Sequence, residues 1–310
     1  MTVAVALEGL SRAFGAVRAV DDLSFTVARG ELFGIVGPDG AGKTTTLRML
    51  AGVVRPTRGD ARIAGASVAR DPEGVKRRIA YMSQRFGLYA DLTVRENLDF
   101  YADLFGVPPA ERPARLARLY AFSGLAPFER RLAGQLSGGM KQKLGLSCAL
   151  IHHPEVMLLD EPTFGVDPVS RRDLWLIVHE MVAGGMTVLL STAYLDEAER
   201  CDRVALLHQG RLVALDTPAA LQARLAGRIQ SVRAADPRRA RDLLRTLPLV
   251  RDAALFGDRL HVSLADAARD WPAARAALLG AGIAILADEP AEPSLEDVFI
   301  DLTRADGAAA

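Results

Sequence analysis

The sequence is short of cysteine and of long apolar runs. Cysteine occurs only at Cys148 and Cys201, in unrelated contexts, which argues against a disulfide framework and favours a reducing compartment. No uninterrupted apolar run approaches the roughly 18 residues that a membrane-spanning helix needs. Glu8 interrupts the apolar N-terminus, so a signal peptide is not predicted either. We therefore expect a cytoplasmic protein whose membrane association, if any, depends on a partner.

Net charge is also lacking. Lys+Arg and Asp+Glu both number 38 in a chain of 310 residues. This balance gives no support to nucleic-acid binding through bulk charge, so no nucleic-acid partner is predicted. Half of the residues are hydrophobic, which is typical of a globular protein, and the length is sufficient for two domains.

Residues 3–8 and 23–27 alternate apolar and polar residues, which predicts edge or half-buried strands. Short apolar runs alternate with helical patterns in the rest of the first two thirds of the chain. Such runs suit strands of a sheet that is covered on both faces, and they occur at 32–36, 156–159, 188–190 and 204–207. Between Phe86 and Leu150 the pattern becomes mostly helical, which indicates a helical insertion between two strands. The sequence predicts an α/β fold over residues 1–222, with a helical subdomain at about 86–150.

A second pattern begins at about residue 228. Its order is strand, helix, two strands, helix, strand, which predicts a small ferredoxin-like α+β domain over 228–310. The stretch SLEDVFIDLT predicts a closing helix.

The stretch GIVGPDGAGKTTTLRML carries the strongest local motif. Gly37, Gly42, Lys43 and Thr44 fit G-x-x-x-x-G-K-[ST] between a predicted strand and a predicted helix. In such a loop backbone N–H groups surround phosphate oxygens, the lysine bridges the β- and γ-phosphates, and the hydroxyl binds Mg²⁺. The predicted nucleotide contacts form the phosphate loop: Gly37, Pro38, Asp39, Gly40, Ala41, Gly42, Lys43, Thr44 and Thr45.

Two acidic residues follow the apolar strand in VMLLDEP. Ligands bind at the carboxyl ends of strands in open α/β sheets, which is where Asp160 and Glu161 are predicted to lie. Asp160 is predicted to hold Mg²⁺, partly through water. Glu161 is predicted to polarise the attacking water as the general base.

A Ser-Gly-Gly turn precedes another predicted helix. Ser137, Gly138 and Gly139 lie in QLSGGMKQKLGLS, where a helix start with nearby lysines makes a second anion site. With this turn the chain resembles the ATP-binding subunit of ABC transporters, over residues 3 to about 220. The family's LSGGQ is LSGGM here, with Met140 at the fifth position.

The resemblance implies further roles by position. ATP and Mg²⁺ are the expected cofactors, and a P-loop NTPase core of the ABC ATPase type is the expected fold. ATP is expected between the phosphate loop of one ATPase domain and the LSGGM turn of a second, arranged head to tail. Phe14 matches the adenine-stacking aromatic, Gln84 the glutamine that reaches Mg²⁺ and water, and Asp167 the aspartate at the dimer interface. The helical insertion is expected to dock on a membrane permease, which places the chain at the inner face of the cell membrane.

One functional position departs from the family. The histidine that contacts the γ-phosphate is expected at position 193, where this chain has Ala193. We expect slowed hydrolysis, with Ser191, Thr192 or Tyr194 as partial substitutes. The other histidines offer no metal-ligand spacing, and His152 and His153 are predicted at the surface.

Three functions compete at this point. The first is a transport ATPase of the multidrug and antibiotic export type, suggested by TFGVDP and by the C-terminal PSLEDVFIDLT. The second is a soluble ABC ATPase of ribosomes or DNA, but neither a second ATPase domain with a charged linker nor a long coiled coil is present. The third is a nucleotide-gated regulator, favoured by Ala193 and opposed by the intact Glu161.

Overall fold

The computed structural model describes residues 2–84 and 87–307, with side chains through Arg304. Phe86, where the helical insertion is predicted to begin, and the outer limits of the predicted domains at residues 1 and 310 lie outside the described residues. The backbone forms two compact units. The first reaches Glu197 and includes Cys201–Leu212, and the second comprises Ala198–Arg200 and the chain from Val213 onward.

Strands and helices follow one another along the chain as far as Ala223. The strands are β1 Val3–Phe14, β2 Val17–Ala28, β3 Leu32–Val36, β4 Arg58–Ile63, β5 Ala66–Ser67, β6 Ile79–Met82, β7 Val156–Asp160, β8 Thr187–Thr192, β9 Arg203–His208 and β10 Arg211–Asp216. The helices are α1 Lys43–Leu50, α2 Pro72–Lys76, α3 Val94–Leu104, α4 Arg112–Ser123, α5 Gly138–Leu150, α6 Pro168–Ala183, α7 Leu195–Ala198 and α8 Pro218–Ala223.

A six-stranded sheet in the order β10-β9-β3-β8-β7-β6 forms the centre of the first unit. The strands from β9 to β6 pair in parallel, and β3, β7 and β8 are buried along their whole length. Burial on both faces explains their continuous apolar sequences. Because β3, β8 and β7 are neighbours, their carboxyl ends lie side by side at one edge of the sheet.

A second, antiparallel sheet has the order β2-β1-β4-β5. The sequence pattern predicted strands only at 3–8 and 23–27, whereas β1 and β2 each span twelve residues. Several register shifts between β1 and β2 displace the alternation of buried and exposed residues, so the period-2 pattern is interrupted although the pairing continues.

The helical segment between β6 and β7 is stabilised locally. Thr93 and Glu96 form a capping box at the start of α3, in which each side chain accepts from the other's backbone N–H. Asn97 is buried and its amide donates to the carbonyls of Tyr89 and Leu92. These contacts fix residues 89–92 against α3, and α5 then returns to the central sheet.

The second unit contains the predicted βαββαβ order. Its elements are β11 Ile229–Ala234, α9 Pro237–Leu244, β12 Val250–Phe256, β13 Arg259–Leu264, α10 Ala267–Gly280, β14 Ile285–Ala291 and the closing helix α11 Leu295–Gly307. The sheet order is β12-β13-β11-β14, and Trp271 and Leu278 of α10 pack on its apolar face. The predicted domain boundary between residues 222 and 228 stays a prediction, since compactness divides the chain inside β10.

Candidate active site

The phosphate loop connects β3 to α1 and is closely packed. A Cβ atom on Gly37 would lie 2.3 Å from the carbonyl oxygen of Leu207, so only glycine fits there. Gly42 has φ 99°, in the left-handed region that glycine adopts without strain, and a Cβ there would meet the Ala19 carbonyl oxygen at 2.5 Å. The backbone of the loop is therefore held in one conformation by β2 and β9.

Lys43 is buried at the first position of α1. Its Nζ donates to the carbonyl oxygens of Gly37 at 2.8 Å and of Pro38 at 3.1 Å. The same Nζ lies 3.1 Å from Glu161 Oε1, and the two side chains are 4% and 13% exposed. The ammonium group therefore lies between the loop and the acidic strand end, where a buried charge needs such partners.

Asp160 ends β7 and is only 1% exposed. Its Oδ1 accepts hydrogen bonds from Thr44 Oγ1 at 2.9 Å and Ser191 Oγ at 2.8 Å. Its Oδ2 accepts from the Tyr81 hydroxyl at 3.2 Å. Burial, followed by the nearby Asp160 charge, raises the pKa of Tyr81 to about 12, so this hydroxyl remains a donor at neutral pH.

Glu161 has an unusual backbone conformation. Its φ of 48° lies in the left-handed region, which is strained for a residue with a side chain. Its N–H donates to Ser191 Oγ at 3.0 Å, and its Oε2 accepts from Gln84 Nε2 at 3.1 Å. The strained turn is thus held by β8 and directs the carboxylate towards both Lys43 and Gln84.

An open cleft of about 730 Å³ brings most of the predicted site residues together. Its lining includes Asp39, Gly40, Ala41, Gly42, Lys43, Thr44, Thr45, Gln84 and Glu161. Phe14 is outside this lining. It is 46% exposed at the end of β1, with the Arg12 guanidinium carbon 4.4 Å from its ring centroid. The cleft is also lined by residues that sequence reasoning missed, namely Val17, Arg18, Ala19, Phe164 and Gln209.

The LSGGM turn and Asp167 lie outside the cleft lining. Ser137 caps α5 by accepting from the Met140 N–H at 3.3 Å, and Ser137 and Gly138 are exposed. Asp167 caps α6 by accepting from the N–H groups of Val169 and Ser170. The hydrogen bond from the Ser170 N–H is the main cause that lowers the pKa of Asp167. These two helix starts therefore present polar groups at the surface.

Position 193 contributes no side-chain hydrogen bond. Ala193 is exposed directly after β8. The three proposed substitutes are engaged elsewhere or lie outside the cleft lining: Ser191 donates to Asp160, Thr192 donates to Glu197, and the Tyr194 ring lies 4.8 Å from the Arg171 guanidinium carbon.

The expectation of a surface position holds only in part for His152, which is half-buried. Its ring stacks on Phe105 with centroids 3.9 Å apart, and its Nε2 is 2.9 Å from the Ile79 carbonyl oxygen. Burial lowers the pKa of His152, whereas His153 is exposed as expected. Cys148 and Cys201 are buried, and burial raises the pKa of both thiols.

Two residues that complete the acidic site gave little signal in the sequence. Tyr81 belongs to a short strand whose side-chain directions only the sheet pairing reveals, and its contact with Asp160 spans many residues of sequence. The sequence suggests Ser191 only as a partial substitute for the histidine missing at position 193, whereas in the structure it contacts both Asp160 and Glu161. The register of β7 and β8, which places Asp160 beside Ser191, was the missing information.

The fold and the cleft define a P-loop nucleoside triphosphatase. The ABC transporter family model matches residues 20–164. The chain is 44% identical to a probable multidrug ABC transporter ATP-binding protein of Escherichia coli (strain K12) over 96% of its length, and it spans about half, 52%, of that relative. It is 38% identical to the Nod factor export ATP-binding protein I of Paraburkholderia xenovorans (strain LB400), with 97% of each chain covered.

A solved structure of an ATP-binding subunit of an ABC transporter is also similar. It superposes with a TM-score of 0.65 at 35% identity, covering 71% of this chain and 92% of that one. The chain therefore belongs to the ATP-binding proteins of ABC transporters. Members of this family bind ATP and are ATPases coupled to transport.

Proposed function

We propose that this chain hydrolyses ATP in the Lys43–Glu161 cleft and energises export through a separate membrane permease. The arrangement of Lys43 supports this proposal most directly, because a buried ammonium group there joins the phosphate loop to a carboxylate. Export is suggested by the relatives, whose names refer to multidrug transport and to Nod factor export. The substrate path would belong to the permease.

The roles of the acidic residues follow from their positions. Glu161 orients the attacking water and accepts its proton, while Lys43 offsets the negative charge of the phosphates. Gln84 donates to Glu161 and so limits the directions that this carboxylate can take. The phosphate loop supplies backbone N–H groups for the β- and γ-phosphates. A general base of this kind contributes roughly 10²–10⁴ in rate.

The residues around Asp160 fit a magnesium ion. Thr44, Asp160 and Gln84 offer the oxygen ligands that Mg²⁺ prefers, and Mg²⁺ takes only one or two carboxylates beside phosphate and water. Among the described residues no group of three His, Cys, Asp or Glu side chains forms a metal cage, which agrees with this sparse donor set. When bound, Mg²⁺ would supply positive charge to the phosphate oxygens.

The exposed starts of α5 and α6 in this chain would contact a second ATPase domain. In a head-to-tail pair Ser137, Gly138 and Gly139 would bind the phosphates held by the partner's loop, and Asp167 would lie at the interface. Phe14 would stack on the adenine. The exposed positions of Ser137, Gly138, Asp167 and Phe14 support this assignment, as does the helix start at Ser137. The partner domain is either identical or different.

The chain would associate with the membrane by docking its helical segment on the permease. No helix within the described parts of the chain is long and apolar enough to cross a membrane. We place the chain at the inner face of the cell membrane, with an ATPase domain over 1–222 and a C-terminal domain over 228–310. Deleting residues from 228 onward tests whether that domain has a role in dimerisation or hydrolysis.

Glu161→Gln tests the proposed reaction. The variant removes the base but keeps the size of the side chain, so ATP binding should remain while hydrolysis by the assembled transporter falls by about 10²–10⁴. Glu180→Gln, at an exposed position on α6, is the matched control. Equal hydrolysis by wild type and Glu161→Gln would contradict the role of Glu161. ATP binding without hydrolysis by the wild-type transporter would instead favour the nucleotide-gated regulator that Ala193 suggests.

A further inference from the structure

The first turn of α6 follows its capping residue, Asp167, and packs against the LSGGM turn. The Arg171 N–H donates to the Asp167 carbonyl oxygen at 2.9 Å, so Arg171 lies one turn after the capping aspartate. Ser170 lies on the same turn of α6. A Cβ atom on Gly139 of the LSGGM turn would lie only 2.1 Å from Ser170 Oγ, which shows how closely α6 packs on that turn. A displacement of either feature would therefore move the backbone of Arg171.

Arg171 extends from this turn to a buried carboxylate. Its Nε lies 2.6 Å from Glu197 Oε1, and the Glu197 side chain is 1% exposed. Trp175, one turn further along α6, also directs its indole N–H to the same oxygen at 3.4 Å. A carboxylate buried to this degree depends on its charged partner, so Glu197 follows the position of Arg171.

Glu197 in turn holds the end of β8. Its Oε2 accepts from Thr192 Oγ1 at 2.8 Å, and the same hydroxyl oxygen accepts from the Tyr194 N–H at 3.0 Å. The Thr192 carbonyl oxygen accepts from the Gly37 N–H of the phosphate loop at 3.4 Å. The turn after β8 is thus fixed to Glu197 on one side and to the phosphate loop on the other.

The adjacent residue of β8 completes the path to the acidic residues. Ser191 Oγ donates to Asp160 at 2.8 Å and accepts from the Glu161 N–H at 3.0 Å. Ser191 directly precedes Thr192, so a movement of the β8 end moves both acidic residues. Every contact in this path lies within the first compact unit.

We propose that Arg171 and Glu197 are positioning residues that connect Asp167 and the LSGGM turn to Glu161 through the end of β8. This inference rests on the proposed function. Since Ala193 offers no side-chain contact at the γ-phosphate, the connection in this chain passes through Thr192 and Ser191 to the general base. Occupation of the partner's site would then adjust hydrolysis at this chain's own site.

Three variants of the full chain, assembled with its permease, test the proposal. Arg171→Gln removes the charge that pairs with Glu197, and Arg171→Lys retains a positive charge without the planar guanidinium group. Arg172→Gln alters an exposed neighbour on α6 and is the control. ATP affinity, kcat and KM are measured for each variant, together with the melting temperature. We expect Arg171→Gln to lower kcat about tenfold or more with little change in ATP affinity or KM, Arg171→Lys to restore part of kcat, and Arg172→Gln to resemble wild type.

A double-mutant cycle with Asp167→Ala measures the coupling between the two residues in kcat. A merely structural role of Arg171 would produce no such coupling. If Arg171 transmits the effect of Asp167, the two substitutions together should lower kcat much less than the product of their separate effects. Independent, multiplicative effects, or a folded Arg171→Gln protein with the kcat of Arg172→Gln, would overturn the proposal. Should Arg171→Gln fail to fold, Arg171→Lys carries the same cycle. If the wild-type transporter does not hydrolyse ATP, the proposed function fails, and not only this connection.

Discussion

The phosphate loop and the LSGGM turn are both glycine-containing helix starts, but they differ in what surrounds them. Lys43 and Asp160 are buried and bonded within the chain, and Gly37 is confined by Leu207. Ser137 and Gly138 are exposed. The comparison teaches that two similar local sequences can differ in their surroundings: one forms a loop whose polar groups already have partners within the chain, and the other a turn whose polar groups are exposed. Three substitutions test this distinction, and a fourth tests a half-buried histidine outside both helix starts.

Lys43→Ala should have the largest effect. Loss of one preorganised donor to a developing charge costs on the order of 10²–10³ in rate. The substitution also leaves Glu161 without its ammonium partner, at a cost of about 3–5 kcal/mol for a buried pair. We therefore expect weak ATP binding, little hydrolysis and a lower melting temperature. The exposed Lys76→Ala is the control, and normal ATP binding by Lys43→Ala would refute a self-contained loop.

Ala193→His should have the next largest effect, in the opposite direction. An imidazole at the end of β8 would add a donor for the γ-phosphate, and we expect hydrolysis by the assembled transporter to rise by up to about 10². The measurement is kcat at saturating ATP, with Ala193→Leu as a control that adds side-chain size without a donor. An unchanged kcat would mean that Ala193 does not limit turnover.

Ser137→Ala should separate the two helix starts. Loss of this cap costs about 0.5–2 kcal/mol of stability, and ATP binding at the phosphate loop should not change. Hydrolysis should fall, because the turn no longer presents its hydroxyl to the partner's nucleotide. Thr217→Ala removes a comparable cap from α8 and is the matched control. If both variants hydrolyse ATP alike, the LSGGM turn has only a structural role.

The smallest effect is expected at His152, in the loop that follows α5 and precedes β7. Burial lowers the pKa of this histidine in the folded protein. The unfolded chain therefore takes up the proton first, and stability should decline as the pH falls below about 6.5 towards the folded pKa. Urea unfolding at about pH 7.5 and pH 5.5 should show a smaller decline for His152→Gln than for wild type. An equal decline would mean that His152 does not cause the pH dependence.

The parts of the site that are contiguous in sequence could be predicted from it. Lys43 and Glu161 belong to short motifs whose spacing is set by local turns, and the helix start at Ser137 is equally local. The contacts of Tyr81 and Ser191 with Asp160 required the pairing of β6, β7 and β8, which sequence periodicity does not specify.

The half-buried position of His152 could not be predicted from the sequence for a related reason. Its stacking partner Phe105 lies at the end of α3, and only the packing of the helical segment brings the two rings together. The lengths of β1 and β2 were underestimated because register shifts interrupt their period-2 pattern. Long-range packing and pairing irregularities, which have no local signature, account for both differences.

The left-handed backbone of Glu161 has a consequence for laboratory evolution. Glycine would adopt a φ of 48° without strain and would so remove an energetic cost that the carboxylate-bearing residue imposes. The same substitution would leave the buried Lys43 ammonium group without its carboxylate partner, at a cost of about 3–5 kcal/mol, so a screen for heat resistance alone would still retain Glu161. The strained backbone is thus retained at a residue whose side chain contacts both Lys43 and Gln84.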